Sequence, residues 1–338
     1  MLGYWSIQKK IGILSLFFLL ARFSGGEEIR ACLKEGESLA RVKAAFTPGL
    51  RGNVYICRQE NRWFLINALE LEDYVTGVVG NEMGKEWPIE ALKAQAVCAR
   101  SVALYRKNEA RRKGKPYDVM MSHQIYGRCE HDNVITAVEE TRGEILTVEG
   151  KPALVFYHTC CGGATTNPDN VWPSLSWPYL LPVSGCHCDN SLYTNWERIF
   201  WRERLSRILN LRIQEIAINE KETSGRVITL TITTADGDRL RMKAADFRNR
   251  INQRAQSSSF SDPTTLPGTI FTLKRDKDRF IFTGRGYGHG VGLCQWGARR
   301  MAEQGANYKE ILRFYFSGWE VTQHLPKEGY GNKSSLEN

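Results

Sequence analysis

Glu82 ends the stretch Leu-Glu-Asp-Tyr-Val-Thr-Gly-Val-Val-Gly-Asn-Glu, residues 71–82, and stands just before a turn and a strongly helical segment. A single carboxyl in so rigid a frame can give or take a proton. Val79, Met83 and Trp87 are its apolar neighbours in sequence. Apolar surroundings raise a carboxyl pKa and keep its proton available for donation. An ordinary helix-entry glutamate fits the same position equally well. The second set of reactive side chains is sulfur and imidazole. His123 and Cys129 with His131 form one local group, His158 with Cys160 and Cys161 another, and Cys186-His187-Cys188 a third. These are zinc ligand types. None has the paired C-x-x-C spacing of a zinc finger, and disulfides or buried free thiols suit each group as well. Cys32 with Cys57, and Cys186 or Cys188 with a distant partner, are candidate disulfides. Nine cysteines leave at least one unpaired in a monomer, and the adjacent Cys160-Cys161 is awkward to bridge.

Other motifs are weaker. The glycine-rich stretch 284–292 carries His289 but lacks both the G-x-x-x-x-G-K order and the strand–GxGxxG–helix setting of a nucleotide site. No H-E-x-x-H pair and no G-x-S-x-G elbow is present.

The elements that must position these residues read as mixed α and β. Short apolar runs at 53–57 and 63–66 suggest strands, and 71–79 alternates loosely in the same way, so Glu82 is expected to follow a strand. Pro88 opens the strongest helix, with alanines at 91, 94, 96, 99 and 103 and apolar side chains on most faces, which implies burial on several sides. Gln95 and Arg100 are its polar exceptions, and a structural ion pair or backbone contact, ahead of catalysis, is the expectation for Arg100. Strands resume at 143–148 and 153–157. Residues 191–258 change character: they are rich in Arg, Glu and Thr and lack Cys and His. A strand at 226–233, the hairpin turn Asp236-Gly237 and a return at 240–243 mark an inserted, strand-rich subdomain. Strands at 269–273 and 279–283 follow. A helix at 298–304 and a last helix at 308–316, with Asn307 and Glu310 as its capping box, complete the pattern. The expected architecture is α+β. Its divisions are a leader at 1–25, a main domain at 29–190 and 259–325 interrupted by the insert 191–258, and a tail at 326–338.

Composition bounds the function. The chain has 338 residues, 42% hydrophobic and 25% charged, a globular mixture. Its formal charge of +9 favours an anionic partner: nucleic acid, membrane or cell-wall glycan. Lys9 and Lys10 precede the apolar run 11–21, too short to span a bilayer, which takes about 20 residues. That pattern reads as an export signal, cleaved or kept as a short anchor. Export argues against nucleic acid and places the chain in the periplasm, outside the cell, or anchored facing the wall.

Two long blocks carry a family resemblance. One is Leu71-Glu-Asp-Tyr-Val-Thr-Gly-Val-Val-Gly-Asn-Glu-Met83 followed by Glu90-Ala-Leu-Lys-Ala-Gln-Ala-Val-Cys-Ala-Arg100. The other is Gly284-Arg-Gly-Tyr-Gly-His-Gly-Val-Gly-Leu-Cys-Gln-Trp-Gly-Ala298. Between them lie Gln124-Ile-Tyr126, Phe156-Tyr-His-Thr-Cys-Cys-Gly-Gly163 and Asn170-Val-Trp172. Together they resemble the stage II sporulation protein D family, also described as the amidase-enhancer domain, over roughly residues 65–320. The resemblance implies a peptidoglycan lytic transglycosylase acting on glycan strands whose peptides an amidase has removed, with Glu82 as acid and then base. Gln124, Tyr126 and Gln295 are then candidate hydrogen-bonding partners of substrate, Trp172 and Trp296 candidate stacking faces, and His158 and His289 candidate orienting groups. Packing within the core suits each of them equally. Some relatives hold zinc through one His and two Cys, which points to His123 and Cys129, with Cys160 and His131 competing for the remaining role. The chemistry itself requires no cofactor. The implied partners are glycan strands and a wall amidase. The rival readings are a non-enzymatic wall-binding amidase activator and a zinc-dependent wall hydrolase.

Overall fold

The computed structural model describes residues 26–172, 177, 179–255 and 259–324. The expected leader and tail lie outside them. In chain order the elements are β1 (Glu28–Gly36), α1 (Leu39–Lys43), β2 (Asn53–Gln59), β3 (Arg62–Glu70), α2 (Leu71–Glu82), α3 (Ile89–Arg112), β4 (Val119–Met120), α4 (Asp132–Glu139), β5 (Glu144–Val148), β6 (Lys151–Pro152), β7 (Tyr157–His158) and α5 (Pro168–Val171). A second lobe follows with β8 (Trp196–Trp201), α6 (Arg202–Leu209), β9 (Ile213–Lys221), β10 (Val227–Thr234), β11 (Arg239–Lys243), α7 (Ala244–Asn252), β12 (Ile270–Asp276) and β13 (Arg279–Arg285). The chain then returns through β14 (Leu293–Cys294), α8 (Gln295–Glu303), α9 (Tyr308–Tyr315) and β15 (Glu320–Gln323). The fold is α+β, with 30% helix and 31% strand among the described residues. Among the described residues no helix is long and apolar enough to cross a membrane.

Helix α3 is the axis of the larger core. Ala91, Ala94, Ala96, Ala99 and Ala103 are all fully buried. Such small side chains let α2, α4, α8 and α9 approach from several directions. Arg100, itself fully buried, pairs with Glu72 of α2 at 2.7 Å and donates to the carbonyl of Glu144 at 2.8 Å. The ion pair expected for it is therefore present, and it locks α2, α3 and β5 together. The N-terminal sheet runs β2-β3-β1-β4, and β15-β5-β6 forms a second one.

The segment 71–79 is a helix, not a strand. Leu71, Tyr74, Val75, Val78 and Val79 fall at i, i+3, i+4, i+7 and i+8, and all five are buried on one face. The loose alternation was a by-product of that spacing. Glu82 is consequently the last residue of α2, and Met83 leaves the helix in extended conformation. The expected strand at 153–157 shrinks to the two residues of β7, which pair in parallel with β14. Helix α8 begins at Gln295, three residues before its expected start, because the Cys294 side chain caps it by accepting from the Gly297 amide. The capping box of Asn307 and Glu310 is formed as read.

The second lobe has its own core, built on Phe200, Leu205, Ile232, Phe247, Phe280 and Phe282. Its packing continues past residue 258, because β13 pairs with both β12 and β8. Buried Arg226 fastens the lobes together. It donates to the carbonyls of Cys161 at 2.9 Å and Ala164 at 3.0 Å, and to Thr269 Oγ1 at 3.0 Å. Cys32 and Cys57 are free thiols, as are the other cysteines, so the candidate disulfide between them is not formed.

Candidate active site

Glu82 owes its surroundings to two glycines one turn apart on α2. A Cβ on Gly77 would strike the Tyr126 ring and the Gly127 carbonyl, and one on Gly80 would strike Cys129. Their absence lets the segment 124–129 lie directly on the helix. The Ile125 amide thereby donates to Glu82 Oε1 at 2.7 Å. Gln295, at the start of α8, and Tyr157, on β7, bring their side chains to the same carboxyl. Behind it sits a buried polar shell. Tyr74 Oη donates to Gln124 Oε1 at 3.1 Å, Gln124 donates to the Ala99 carbonyl at 3.2 Å, Asn67 donates to Tyr126 Oη at 2.8 Å, and Gln295 donates to Gln95 at 3.4 Å.

Burial dominates the electrostatics of Glu82 and raises its pKa above the ordinary carboxyl value. The Ile125 amide, Tyr157 and Gln295 oppose that shift without cancelling it. The C-terminal end of α2 adds to the effect, because the helix dipole disfavours a negative charge there. The Tyr157 hydroxyl is one of the unmet groups of the site, with Gln95 Nε2 and Asn67 Oδ1 in the shell behind it. It is buried beside Glu82 and Gln124 yet completes no hydrogen bond. A polar group left so is costly unless a ligand or solvent satisfies it.

Gln124, Tyr126 and Gln295 thus gather around Glu82, with Tyr126 serving through packing and Asn67. His158 and His289 do meet each other, ring to ring at 5.3 Å, but not at the carboxyl. Successive residues of a strand face opposite ways. Tyr157 turns to Glu82, while His158 donates from Nδ1 to the Val291 carbonyl, 3.1 Å away. Burial depresses the His158 pKa to about 3 and that of His289 well below its usual value, so both rings are neutral. Trp172 stacks on Phe156 at 4.6 Å and meets His289 at 5.1 Å. Trp172 and His289 line a cavity of about 140 Å³ together with Arg226 and Arg248. Trp296 instead lies 5.3 Å from Trp87, and the Arg299 guanidinium sits over both rings, at 4.9 Å and 5.3 Å. That places one cation on two half-buried indoles.

The metal set His123, Cys129 and Cys160 does not come together. The nitrogen Nδ1 of His123 accepts from the Met120 amide at 3.2 Å. Cys129 is packed on Gly80, and Cys160 lies 3.4 Å from Cys188. These three residues do not fit the one-His, two-Cys zinc site of the resemblance. Among the described residues a single group has metal-binding geometry: Cys161, Cys186, Cys188 and Cys294. One residue of the carboxyl site was missed by sequence reasoning. Tyr157 lies inside a block singled out for the neighbouring His158, and strand alternation between the two was the available signal. Trp87, expected to desolvate Glu82, is instead found against Trp296 and Arg299.

A family model described as "Stage II sporulation protein" matches residues 59–148, and one for a domain of unknown function matches residues 198–292. The chain is 33% identical to an uncharacterized protein of Brachyspira hyodysenteriae, over 81% of this chain and 72% of that one. It is 28% identical to the amidase enhancer of Bacillus subtilis, over 73% of this chain but only 40% of that longer protein. With the stage II sporulation protein D of Bacillus amyloliquefaciens the identity is 30%, over 76% of each. A likeness of that extent, carried through both lobes and around Glu82, makes the chain a member of the stage II sporulation protein D family.

Proposed function

We propose that this protein is a peptidoglycan lytic transglycosylase. It cleaves the bond between N-acetylmuramic acid and N-acetylglucosamine in peptide-stripped glycan and leaves 1,6-anhydro-muramic ends. The observation that carries this reading is Glu82: a carboxyl held by one backbone amide at 2.7 Å, with its pKa raised by burial and, among the described residues, no carboxylate in contact with it. Hydrolases that use water or a covalent intermediate take two carboxyl groups. Closure by the sugar's own C6 hydroxyl takes one. Protonated Glu82 gives its proton to the glycosidic oxygen as the bond to C1 breaks and the muramyl ring gains oxocarbenium character. The carboxylate then receives the proton of the C6 hydroxyl as its oxygen bonds to C1. The proton count closes and Glu82 returns to its starting state.

The surrounding groups suit that substrate. The free Tyr157 hydroxyl and Gln295 are hydrogen-bonding groups at the carboxyl. The Trp87–Trp296 pair capped by Arg299 offers an apolar face for a pyranose and a cation for lactyl carboxylates exposed when peptides are removed. The net charge of +9 favours the same anionic strand. This role requires export, for which Lys9, Lys10 and the apolar run 11–21 supply the signal.

The amidase enhancer relative favours a second reading, a wall-binding protein that stimulates an amidase without chemistry of its own. One experiment separates them. Amidase-stripped glycan is incubated with the protein and with Glu82→Gln, and the products are read by mass spectrometry. Anhydro-ended fragments from the wild type alone support the transglycosylase. Anhydro fragments from a folded Glu82→Gln variant overturn the role of Glu82. Bound but uncut glycan with both proteins turns the assignment to the activator.

A further inference from the structure

Four cysteines that neither the carboxyl chemistry nor any disulfide uses converge in the larger core. Cys161 follows β7, Cys186 and Cys188 lie in the loop before β8, and Cys294 ends β14. All four are buried, and their sulfur atoms all lie within 4.8 Å of one another. Cys161 and Cys188 are 3.6 Å apart at sulfur. A disulfide needs about 2.05 Å. A tetrahedron with metal–sulfur bonds of about 2.3 Å has edges of about 3.8 Å. The cluster therefore has the size of a tetrathiolate cage and not that of a pair of disulfides.

The groups around the sulfurs point the same way. The Cys161 amide donates to Cys294 Sγ at 3.2 Å, and the Gly297 amide donates to the same sulfur at 3.4 Å. Cys294 is thus the cap of α8, at the positive end of a nine-residue helix. The Tyr315 hydroxyl lies 3.1 Å from Cys186 Sγ. The guanidinium of Arg226, buried on the Cys161 carbonyl, supplies a compensating charge close to Cys161 and Cys294. Gly297 permits the closeness: a Cβ there would overlap both Tyr315 and Cys186. Four buried thiols packed this tightly have no apolar reason to share amide donors and a cation, whereas four thiolates around a divalent metal do.

We propose that Cys161, Cys186, Cys188 and Cys294 bind one zinc ion in a closed, structural, four-thiolate site. As the metal enters, each of the four thiols releases its proton to solvent and forms one metal–sulfur bond, leaving a centre of net charge −2. Thiolate softness selects zinc over magnesium or calcium. Four protein ligands leave no position for water, so the ion is structural and not hydrolytic. Cys160 is a neighbour of the cage and not a ligand: its sulfur faces Ser191 Oγ at 3.2 Å and lies outside the mutually close set. The site ties together segments 133 positions apart and fixes Cys294, the residue before Gln295. It does not depend on the transglycosylase reading and stands or falls by itself.

The test uses the full chain, purified under reducing conditions without chelator. Elemental analysis is expected to give one zinc per chain. Exchange into cobalt is expected to give the visible spectrum of a tetrahedral tetrathiolate complex. Removing zinc with a strong chelator is expected to lower Tm by roughly 10 °C or more, restored on adding the metal back. Reduced protein that carries no zinc and takes up no cobalt overturns the proposal. So does disulfide linkage of Cys188 to Cys160 or Cys161 in peptide maps, or one iron per chain in place of zinc. Because Cys188→Ser is liable to misfold, Cys160→Ser and Cys57→Ser serve as the folded comparisons. Both are expected to keep one zinc. Loss of the metal from Cys160→Ser overturns the ligand assignment.

Discussion

The carboxyl site and the sulfur cage are built from the same short stretches of chain and differ in what they leave unfinished. Tyr157 and Gln295 serve Glu82, while Cys161 and Cys294, a few residues away on the same segments, serve the cage. Around the sulfurs, backbone amides donate to Cys294, the Tyr315 hydroxyl lies at hydrogen-bond distance from Cys186, and a buried arginine stands close by on the Cys161 carbonyl. Around Glu82 a buried hydroxyl, Tyr157 Oη, and a buried amide nitrogen, Gln95 Nε2, lack partners. A closed polar cluster rigidifies a core, and an open one waits for a ligand. The contrast teaches that one structural bridge, the parallel pairing of β7 with β14, can hold both kinds of site when alternate residues face opposite ways.

The sharpest way to break that contrast is Glu82→Gln. Loss of an acid and base is expected to cut kcat by about 10²–10⁴-fold. Stability should not suffer. A carboxyl whose pKa is raised in the fold holds its proton more tightly there than in the unfolded chain. Its contribution is full below the ordinary value of 4.5 and is lost as pH rises through the folded pKa. The amide, which never titrates, escapes that loss, so Tm at neutral pH is expected to equal or exceed that of the wild type. For the same reason wild-type kcat should fall as pH rises through the pKa of Glu82. A clearly lower Tm for Glu82→Gln would contradict the raised pKa.

Next in size is Arg100→Met, which strands Glu72 in the core. Thermal or denaturant unfolding is expected to show a loss of about 3–5 kcal/mol, with no selective change in chemistry. Gly77→Val should separate the two properties in the opposite sense. Pushing Tyr126 and Gly127 off α2 withdraws the Ile125 amide from Glu82, and activity should fall by more than the stability loss accounts for. Tyr157→Phe is gentler. It deletes a hydroxyl that lies beside Glu82 without a formed hydrogen bond, so Tm should change little, while kcat is expected to drop about tenfold if substrate is what satisfies that group. Last is the acid limb, whose effect builds up only as pH is lowered. His158 is neutral in the fold to about pH 3 but takes a proton near 6.5 when unfolded. Stability should therefore decline as pH falls below 6.5, by at most about 1.4 kcal/mol per pH unit for this one group, and His158→Gln should flatten that slope.

Much of this was legible in the residues. The alanines of α3, the buried Arg100 ion pair, the Asn307 capping box and the Asp236-Gly237 hairpin all obey local rules that sequence carries. Glu82 stood out because a turn and a helix start follow it. Its helix did not, because short apolar runs satisfy periods of 2 and 3.6 at once. The cage was half visible. Cysteine types and the Cys186-His187-Cys188 spacing drew attention to metal, but the ligand set depends on which segments pair. Neither the β7–β14 bridge nor the rotation that turns Cys161 inward and Cys160 toward Ser191 has a local signature. His289 shows the converse limit. A histidine in the middle of a glycine loop suited an orienting role and core packing equally, and it is packed against His158 and Trp172.

The β7–β14 bridge also sets how this architecture can grow. The chain leaves His158, builds an entire lobe, and re-enters opposite the point of departure, so the lobe hangs from a closed loop. Closing a loop costs entropy only as the logarithm of its length, about 0.6 kcal/mol for each doubling. Lengthening or shortening the distal hairpins therefore changes the closure cost little, while a single-residue insertion between Tyr157 and Cys161, or between Val291 and Gly297, throws both the carboxyl site and the sulfurs out of register. The lobe is free to vary in reach and surface, and the stem from which it hangs is not.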